Sequence, residues 1–313
     1  MITRHKIIVN PVSGRGAGIA SIPAIEAELD RHQIDYDLLQ TSAPRHAIDL
    51  ARQAVVDGYA VVVSVGGDGT ANEVLNGIMQ AKLQDKGTAK MGVIPIGRGN
   101  DFAFGAKIPL EIKRACQVLF GGEGEWIDVG FVKGGDFPDG RFFGNGVGIG
   151  FDAVVGFEAL KMKRLHGFPS YLVAAIKTIY LYYQAPLVQI EHDGGTIEQS
   201  SLMVSIMNGR RMGGGFMMAP EAEIGDGLFD VCIAEEVSKA RIFALIPRFM
   251  DGSQATHPAI TTLRTKKIRV SAVQGSLPAH ADGETVCEAG QQMTMEIFPK
   301  QVFIIGSSDG AAT

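Results

Sequence analysis

The chain has 313 residues, 46% of them apolar and 20% charged, with 40 glycines and a net charge of −5. This is the make-up of a globular protein of two domains or one large one, which excludes a disordered chain, and its negative balance argues against long-range attraction to nucleic acid. Three scattered cysteines without a C-x-x-C pair argue against a disulfide scaffold or a zinc site, and for a reducing compartment.

The first residues run directly into a strand over 6–10, which leaves no room for a signal peptide. A glycine-rich turn follows, and Ile19, Ile22, Ile25 and Leu29 recur at helical spacing over 19–32. A strand over 36–39 and a helix from about 44 to 56 come next. The run 60–65 is apolar and β-branched, as suits a strand covered on both faces of a parallel sheet. A helix over 70–79 and a strand over 92–95 complete an alternation that predicts an open, doubly wound, mainly parallel α/β sheet. Such sheets bind ligands at the carboxyl ends of their strands.

From about residue 123 the rhythm changes. Strand-like runs at 126–132, 141–149, 187–192, 201–208, 228–234, 266–273, 292–298 and 301–305 predict an antiparallel, β-rich second domain, interrupted by helical stretches at 151–183 and 238–250. The pair Gly121-Gly122 is the expected boundary, giving an α/β domain over 1–122 and a β-rich domain over 123–300. A final strand and tail over 301–313 is free to return to the first domain. The longest uncharged stretch, 178–190, is too short for the roughly 18 residues of a membrane span.

Three loops carry the chemistry. Gly66-Gly67-Asp68-Gly69-Thr70 ends the buried strand, and its glycines let the backbone turn sharply and present N–H groups to phosphate oxygens. Thr70 suits a helix cap or a phosphate. Asp68 beside phosphates makes sense if it holds Mg²⁺ or orients a catalytic group; a plain strand-to-helix turn is the alternative. Gly97-Arg98-Gly99-Asn100-Asp101-Phe102 follows the next strand, and Asn10-Pro11-Val12-Ser13-Gly14 the first, so all three sit on one sheet edge. There is no Walker sequence and no His-Arg-Asp, and no acidic residue ends the second strand as dinucleotide binding would require.

Further motifs follow in order: Gly146-x-Gly148-x-Gly150-Phe151-Asp152-Ala153, then Ala219-Pro220 leading to Gly225-Asp226-Gly227-Leu228-Phe229-Asp230, then Asp282-Gly283-Glu284. Together with the three loops they resemble the diacylglycerol kinase catalytic-domain family, which includes bacterial lipid kinases and the sphingosine and ceramide kinases. The resemblance implies an ATP- and Mg²⁺-dependent kinase whose first domain binds nucleotide and whose second binds a lipid alcohol, with the active site in a cleft between them. It implies nucleotide contacts at Asn10, Ser13 and Thr41, a phosphate loop of Gly66, Gly67, Asp68, Gly69, Thr70, Asn72 and Glu73, and a further loop of Gly97, Arg98, Gly99 and Asn100. Asp226 resembles a Mg²⁺ ligand acting with the backbone carbonyls of Glu223 and Leu228, and Glu284 the acceptor of the substrate proton. Bacterial relatives usually carry Thr where this chain has Arg98, which leaves that contact open.

An alcohol becomes a nucleophile only as its proton is taken, so a carboxylate near the γ-phosphate is required. Asp282 and Glu284 bracket a glycine, which puts both on a turn. The competing assignment makes Asp68 the base and Glu284 a nucleotide ligand, and the sequence leaves Asp68, Asp282 and Glu284 all standing as catalytic candidates for the base. Lys161-Met162-Lys163-Arg164-Leu165-His166 precedes an aromatic-rich helix that could meet anionic headgroups, or could simply bury Leu172, Ile176, Ile179 and Tyr183. Arg210 to Met218 reads either as the lining of an acyl pocket or as a plain hairpin loop. His46, His166, His257 and His280 show no metal-ligand spacing. The expected partners are a lipid alcohol and a membrane surface touched peripherally from the cytoplasm, with no nucleic acid; a homodimer is left open. The rival readings are an NAD kinase and a catalytically silent nucleotide- or lipid-binding protein.

Overall fold

The computed structural model describes residues 4–161, 168–181 and 183–306. The chain forms two compact units, one from the residues up to Val129 together with those from Lys300 on, the other from Gly130–Pro299.

In the first unit, β1 (Arg4–Val9), β2 (Asp35–Gln40), β3 (Val61–Gly66) and β4 (Lys90–Pro95) are parallel in the order β2-β1-β3-β4. Every residue of β3 is buried, as its β-branched run requires of a central strand. The connecting helices are α1 (Ala17–Arg31), α2 (His46–Val56) and α3 (Asp68–Leu83). The register sets Val9 level with Gln40 and Val65, and Gly66 level with Pro95, so four loops leave the sheet at one height. Two helices escape the sequence reading, α4 (Asp101–Gly105) and α5 (Ile112–Gly121). The first is too short for any periodicity to register, and the second buries only Ala115, Cys116 and Leu119.

The second unit is antiparallel. It contains the second half of β5 (Gly124–Gly134), then β6 (Phe137–Phe143), β7 (Gly146–Gly150), α6 (Phe151–Lys161), α7 (Phe168–Leu181), β8 (Leu187–His192), β9 (Gly195–Met207), β10 (Phe229–Glu235) and α8 (Lys239–Asp251). The strands β11 (Ile260–Thr265), β12 (Lys267–Gln274), β13 (Leu277–Ala281), β14 (Glu284–Gly290) and β15 (Gln292–Ile305) follow. The long β9 pairs with β8 along its first half and with β7 and β10 along its second, so one strand serves two sheets. Their facing side chains, among them Phe143, Ile149, Ile190, Ile206, Phe229, Val270 and Met295, form a single buried cluster. The outer face of the β7, β9 and β10 sheet packs on helices through Met203, Met207, Cys232, Ile179, Ile242 and Leu245.

The run expected over 141–149 divides at residues 144–145 into β6 and β7, whereas 292–298 and 301–305 are one strand that continues through Pro299. The helical stretch 151–183 resolves into α6 and α7, and the basic residues at 162–166, His166 included, lie outside the described residues. Among the described residues no helix is long and apolar enough to cross a membrane.

Candidate functional site

Side-chain bonds tie the loops of the first unit together. The Asn10 amide donates to Thr70 Oγ1 at 3.0 Å while its Oδ1 accepts the Val12 N–H at 3.2 Å, joining the loops after β1 and β3. The Ser13 hydroxyl donates to the Ile96 carbonyl at 2.9 Å, reaching the loop after β4. Gly67 and Gly97 meet backbone to backbone: a Cβ on Gly97 would lie 2.4 Å from the Gly67 Cα, so neither loop tolerates a side chain there. Asn100 is left-handed, with φ of 53°, and closes its own loop by accepting the Gly97 N–H at 2.8 Å and donating to the Gly97 carbonyl at 3.2 Å. The Thr41 N–H donates to the Val9 carbonyl at 2.8 Å, which starts the loop after β2 beside Asn10.

The loops surround the N-terminus of α3, a helix of 16 residues whose cap, Gly67, has no side chain to accept the first N–H groups. That end carries the positive pole of the helix and is suited to an anion. Asp68 Oδ1 accepts the Phe102 N–H at 3.0 Å. Its other oxygen and Oδ2 of Asp101 each lie 3.0 Å from where a Cβ on Gly99 would stand, so two carboxylates converge on one glycine. The motif over 97–102 contains Asp101 without marking it as a site residue. In the first turn of a short helix an aspartate reads as a cap, which hides it in the sequence. Asn72 and Glu73 face inward from α3. Asn72 accepts from Asn76 at 3.1 Å, and the two oxygens of Glu73 accept the N–H groups of Arg45 at 2.9 Å and Ala47 at 3.1 Å, so Glu73 braces the start of α2. Arg98 is half-buried, with no side-chain hydrogen bond or ion pair among the described residues.

In the second unit the hairpin β13–β14 turns at Asp282 and Gly283, both left-handed, with φ of 48° and 83°. The buried Asp282 carboxylate accepts three backbone N–H groups, from Gly144 at 2.7 Å, Asn145 at 3.0 Å and Gly146 at 2.9 Å. Glu284, at the start of β14, is half-buried, and its carboxylate has no hydrogen bond or ion pair among the described residues. Asp226 accepts the Leu228 N–H at 3.0 Å and is ion-paired with Arg264. Arg264 also approaches Asp230 at 3.4 Å. Burial, then the charges of Glu221 and Glu223, push the Asp230 carboxyl up to about 6. Among the described residues no three His, Cys, Asp or Glu side chains are gathered to hold a metal.

The segment from Arg210 to Met218 is a tight loop, closed by a bridge between Met212 and Phe216, with Gly213 and Gly215 lying against the rings of Tyr171 and Phe168. Helix α7 departs from the expected burial. Ile179 is buried, yet Ile176 is 39% and Tyr180 65% exposed, because the small residues Ala174, Ala175 and Thr178 take the inner face.

Residues 4–132 match the diacylglycerol kinase catalytic domain, and residues 145–306 the YegS C-terminal NAD kinase beta sandwich-like domain. The chain is 26% identical over 292 residues to a diacylglycerol kinase of Mycobacterium tuberculosis, covering 91% of this chain and 92% of that one. It is 28% identical over 285 residues to a diacylglycerol kinase of Staphylococcus aureus, covering 91% and 87%. A crystal structure of a diacylglycerol kinase from Bacillus anthracis superposes with a TM-score of 0.75 at 19% identity, covering 98% of this chain and 97% of that one, a likeness of fold.

Proposed function

The chain belongs to the family that joins a diacylglycerol kinase catalytic domain to a YegS-type C-terminal domain, and from that premise we propose that it transfers the γ-phosphoryl group of ATP to a hydroxyl of a lipid such as diacylglycerol. The observation that carries this reading is the locking of the Asn10, Gly67 and Gly97 loops around the start of α3, beside the carboxylates of Asp68 and Asp101. Phosphoryl transfer depends on positioning and on charge stabilisation more than on a protein nucleophile, and a rigid cradle of N–H groups supplies the first.

In this reading Asn10, Ser13 and Thr41 border the nucleotide, and residues 66–70 and 97–100 enclose its phosphates, with Arg98 as a cation within reach. The hard oxygens of Asp68, Asp101 and Thr70 fit Mg²⁺, which takes one or two carboxylates and completes its shell with phosphate and water. When bound, Mg²⁺ would neutralise charge on the β- and γ-phosphates. Asp226, with the carbonyls of Glu223 and Leu228, fits a second cation, which would share the Asp226 carboxylate with Arg264. Glu73 braces the start of α2 behind the loops, with Asn72 beside it in α3.

Glu284 acts as the base that takes the acceptor hydroxyl proton, because its carboxylate has no partner among the described residues while Asp282 spends its lone pairs on three backbone N–H groups. Asp282 therefore positions the turn that carries Glu284. The outer face of α7, with Val173, Ile176, Tyr180 and Leu181 exposed and Lys177 among them, supports peripheral contact with a membrane that holds the acceptor. A panel assay tests the function: purified protein with Mg²⁺-ATP is offered diacylglycerol, a sphingoid base and NAD. Phosphorylated lipid is expected; phosphorylated NAD with unreacted lipid would replace the reading by the NAD kinase one.

A further inference from the structure

Arg98 stands between two glycines that both touch the loop after β3. A Cβ on Gly67 would lie 2.9 Å from the Gly97 Cα, and a Cβ on Gly99 would lie 3.0 Å from Asp68 Oδ2 and from Asp101 Oδ2. The Ile96 N–H donates to the Gly66 carbonyl at 2.7 Å, and Asn100 closes the loop from its other end through both backbone groups of Gly97. The Arg98 Cα is held about 3.8 Å from the Cα of each contacting glycine. Its side chain is therefore rooted against the start of α3, beside the two carboxylates.

Despite that setting the guanidinium is uncommitted. Arg98 is half-buried, yet its side chain has no hydrogen bond or ion pair among the described residues, Asp68 and Asp101 included. A cation drawn partly out of water beside two carboxylates ordinarily pairs with one of them, because the ion pair offsets the lost hydration. Here Asp68 Oδ1 accepts the Phe102 N–H at 3.0 Å instead. Arg15 and Arg45, the cations of the loops after β1 and β2, are exposed. Arg98 alone among these arginines combines partial burial with a full set of unassigned N–H donors. A guanidinium fork matches phosphate oxygens, and its charged hydrogen bonds are roughly twice as strong as neutral ones. Gly99 sets it next to the carboxylate pair that fits Mg²⁺, and in phosphoryl transfer such an ion bridges the β- and γ-phosphates. The cation at position 98 is thus placed for the terminal phosphate and not for the α-phosphate.

We propose that Arg98 is a catalytic residue of the transfer step, an arginine supplied by the chain's own loop, whose guanidinium grips the γ-phosphoryl group most tightly while that group is in transit. The proposal rests on the lipid-kinase reading and names the group that carries the developing charge. The bond from the acceptor oxygen to Pγ forms as the bond from Pγ to the β–γ bridging oxygen breaks. The acceptor proton goes to the base, and the electron pair of the broken bond leaves on ADP. Arg98 exchanges no proton; it spreads the charge of the equatorial oxygens.

Arg98→Met and Arg98→Lys test it beside the wild type. The measurements are single-turnover transfer to dioctanoylglycerol, calorimetric binding of Mg²⁺-ATP, and the thermal midpoint with Mg²⁺-ADP alone and with aluminium fluoride added to imitate the moving phosphoryl group. Arg98 makes no bond in the free protein, so both variants should keep the wild-type midpoint without ligand. Arg98→Met should transfer at least ~100-fold more slowly at saturating ATP, with ATP affinity within about 10-fold of wild type. Arg98→Lys keeps the charge without the fork and should recover only part of that loss. Aluminium fluoride should raise the wild-type midpoint above that with ADP alone, and Arg98→Met should lose most of this gain.

Variants that transfer at the wild-type rate would overturn the role of Arg98 and leave the kinase reading intact. So would an Arg98→Met protein whose rate recovers fully at saturating ATP, since Arg98 would then bind nucleotide without serving the transfer. A wild type that phosphorylates no lipid would sink the kinase reading, and the fluoride arm then decides Arg98 by itself: an equal gain in wild type and Arg98→Met overturns it.

Discussion

Asp282 and Glu284 flank a single glycine and occupy opposite environments: three backbone N–H groups bind the Asp282 carboxylate at 2.7–3.0 Å, while that of Glu284 has no hydrogen bond or ion pair among the described residues. One is committed to the fold and the other is free for chemistry. Glu284→Gln should lower kcat by roughly 10²–10⁴-fold, the usual yield of a general base, with the thermal midpoint and ATP affinity retained. Asp282→Asn sets an amide N–H against backbone donors and should cost about 1–3 kcal/mol of stability, seen as a lowered midpoint. Calorimetry on both proteins beside steady-state kinetics separates the roles, and a Glu284→Gln enzyme that loses ATP binding would make Glu284 a nucleotide ligand.

The carboxylates of Asp68 and Asp101 converge on Gly99, and a Mg²⁺ shared between them would make their effects non-additive. Asp68→Asn and Asp101→Asn should each reduce kcat at least ~100-fold, and the double variant little further. Each single variant should need more Mg²⁺ to reach half its maximal rate. A Mg²⁺ dependence identical to wild type in both would remove the metal from this pair.

Much of this site was legible in the sequence because each loop ends a strand that burial had already marked. The six buried residues of β3 betray a central strand, and parallel neighbours then place the ends of β1 and β4 beside Gly66. Asp101 was missed as a site residue because an aspartate opening a helix has an ordinary explanation. The strands β13 and β14 were missed because Leu277–Ala281 and Glu284–Gly290 are short, mix small and polar residues, and gain their burial only from partners distant in sequence. The buried face of α7 was left open for the converse reason: a helix apolar all round gives no stripe to read.

Burial pushes the Asp152 carboxyl up to about 7, outweighing the pull of its bonds from Ser205 and the Ala153 N–H. An acid whose folded pKa is raised lends stability that is complete below its unfolded value, about 3.9, and is lost as pH rises through the folded value. Asp152→Asn imitates the protonated form. Its thermal midpoint, compared with wild type, should therefore improve as pH rises from about 4 to about 7 and level off above that. A difference that stays flat with pH would show that the group titrates as an ordinary surface carboxyl.

The exposed side chains of α7, flanked by Lys239, bonded to the Tyr180 carbonyl at 3.1 Å, and by Lys177, which shares Glu158 with Lys161, predict sedimentation with anionic vesicles, weakened by salt. Ile176→Glu with Tyr180→Glu should reduce the bound fraction several-fold without altering activity on micellar diacylglycerol. Unchanged vesicle binding would move the membrane contact elsewhere on the surface.

The central claim, that the loops around α3 hold ATP for transfer of its terminal phosphoryl group to a lipid alcohol, is tested most directly by supplying diacylglycerol with ATP radiolabelled at either the γ or the α position. The account predicts that γ label appears on the lipid, that α label remains in nucleotide diphosphate, and that both outcomes require Mg²⁺. Nucleotide consumed with no γ label on any lipid alcohol, or α label reaching the lipid, would contradict it.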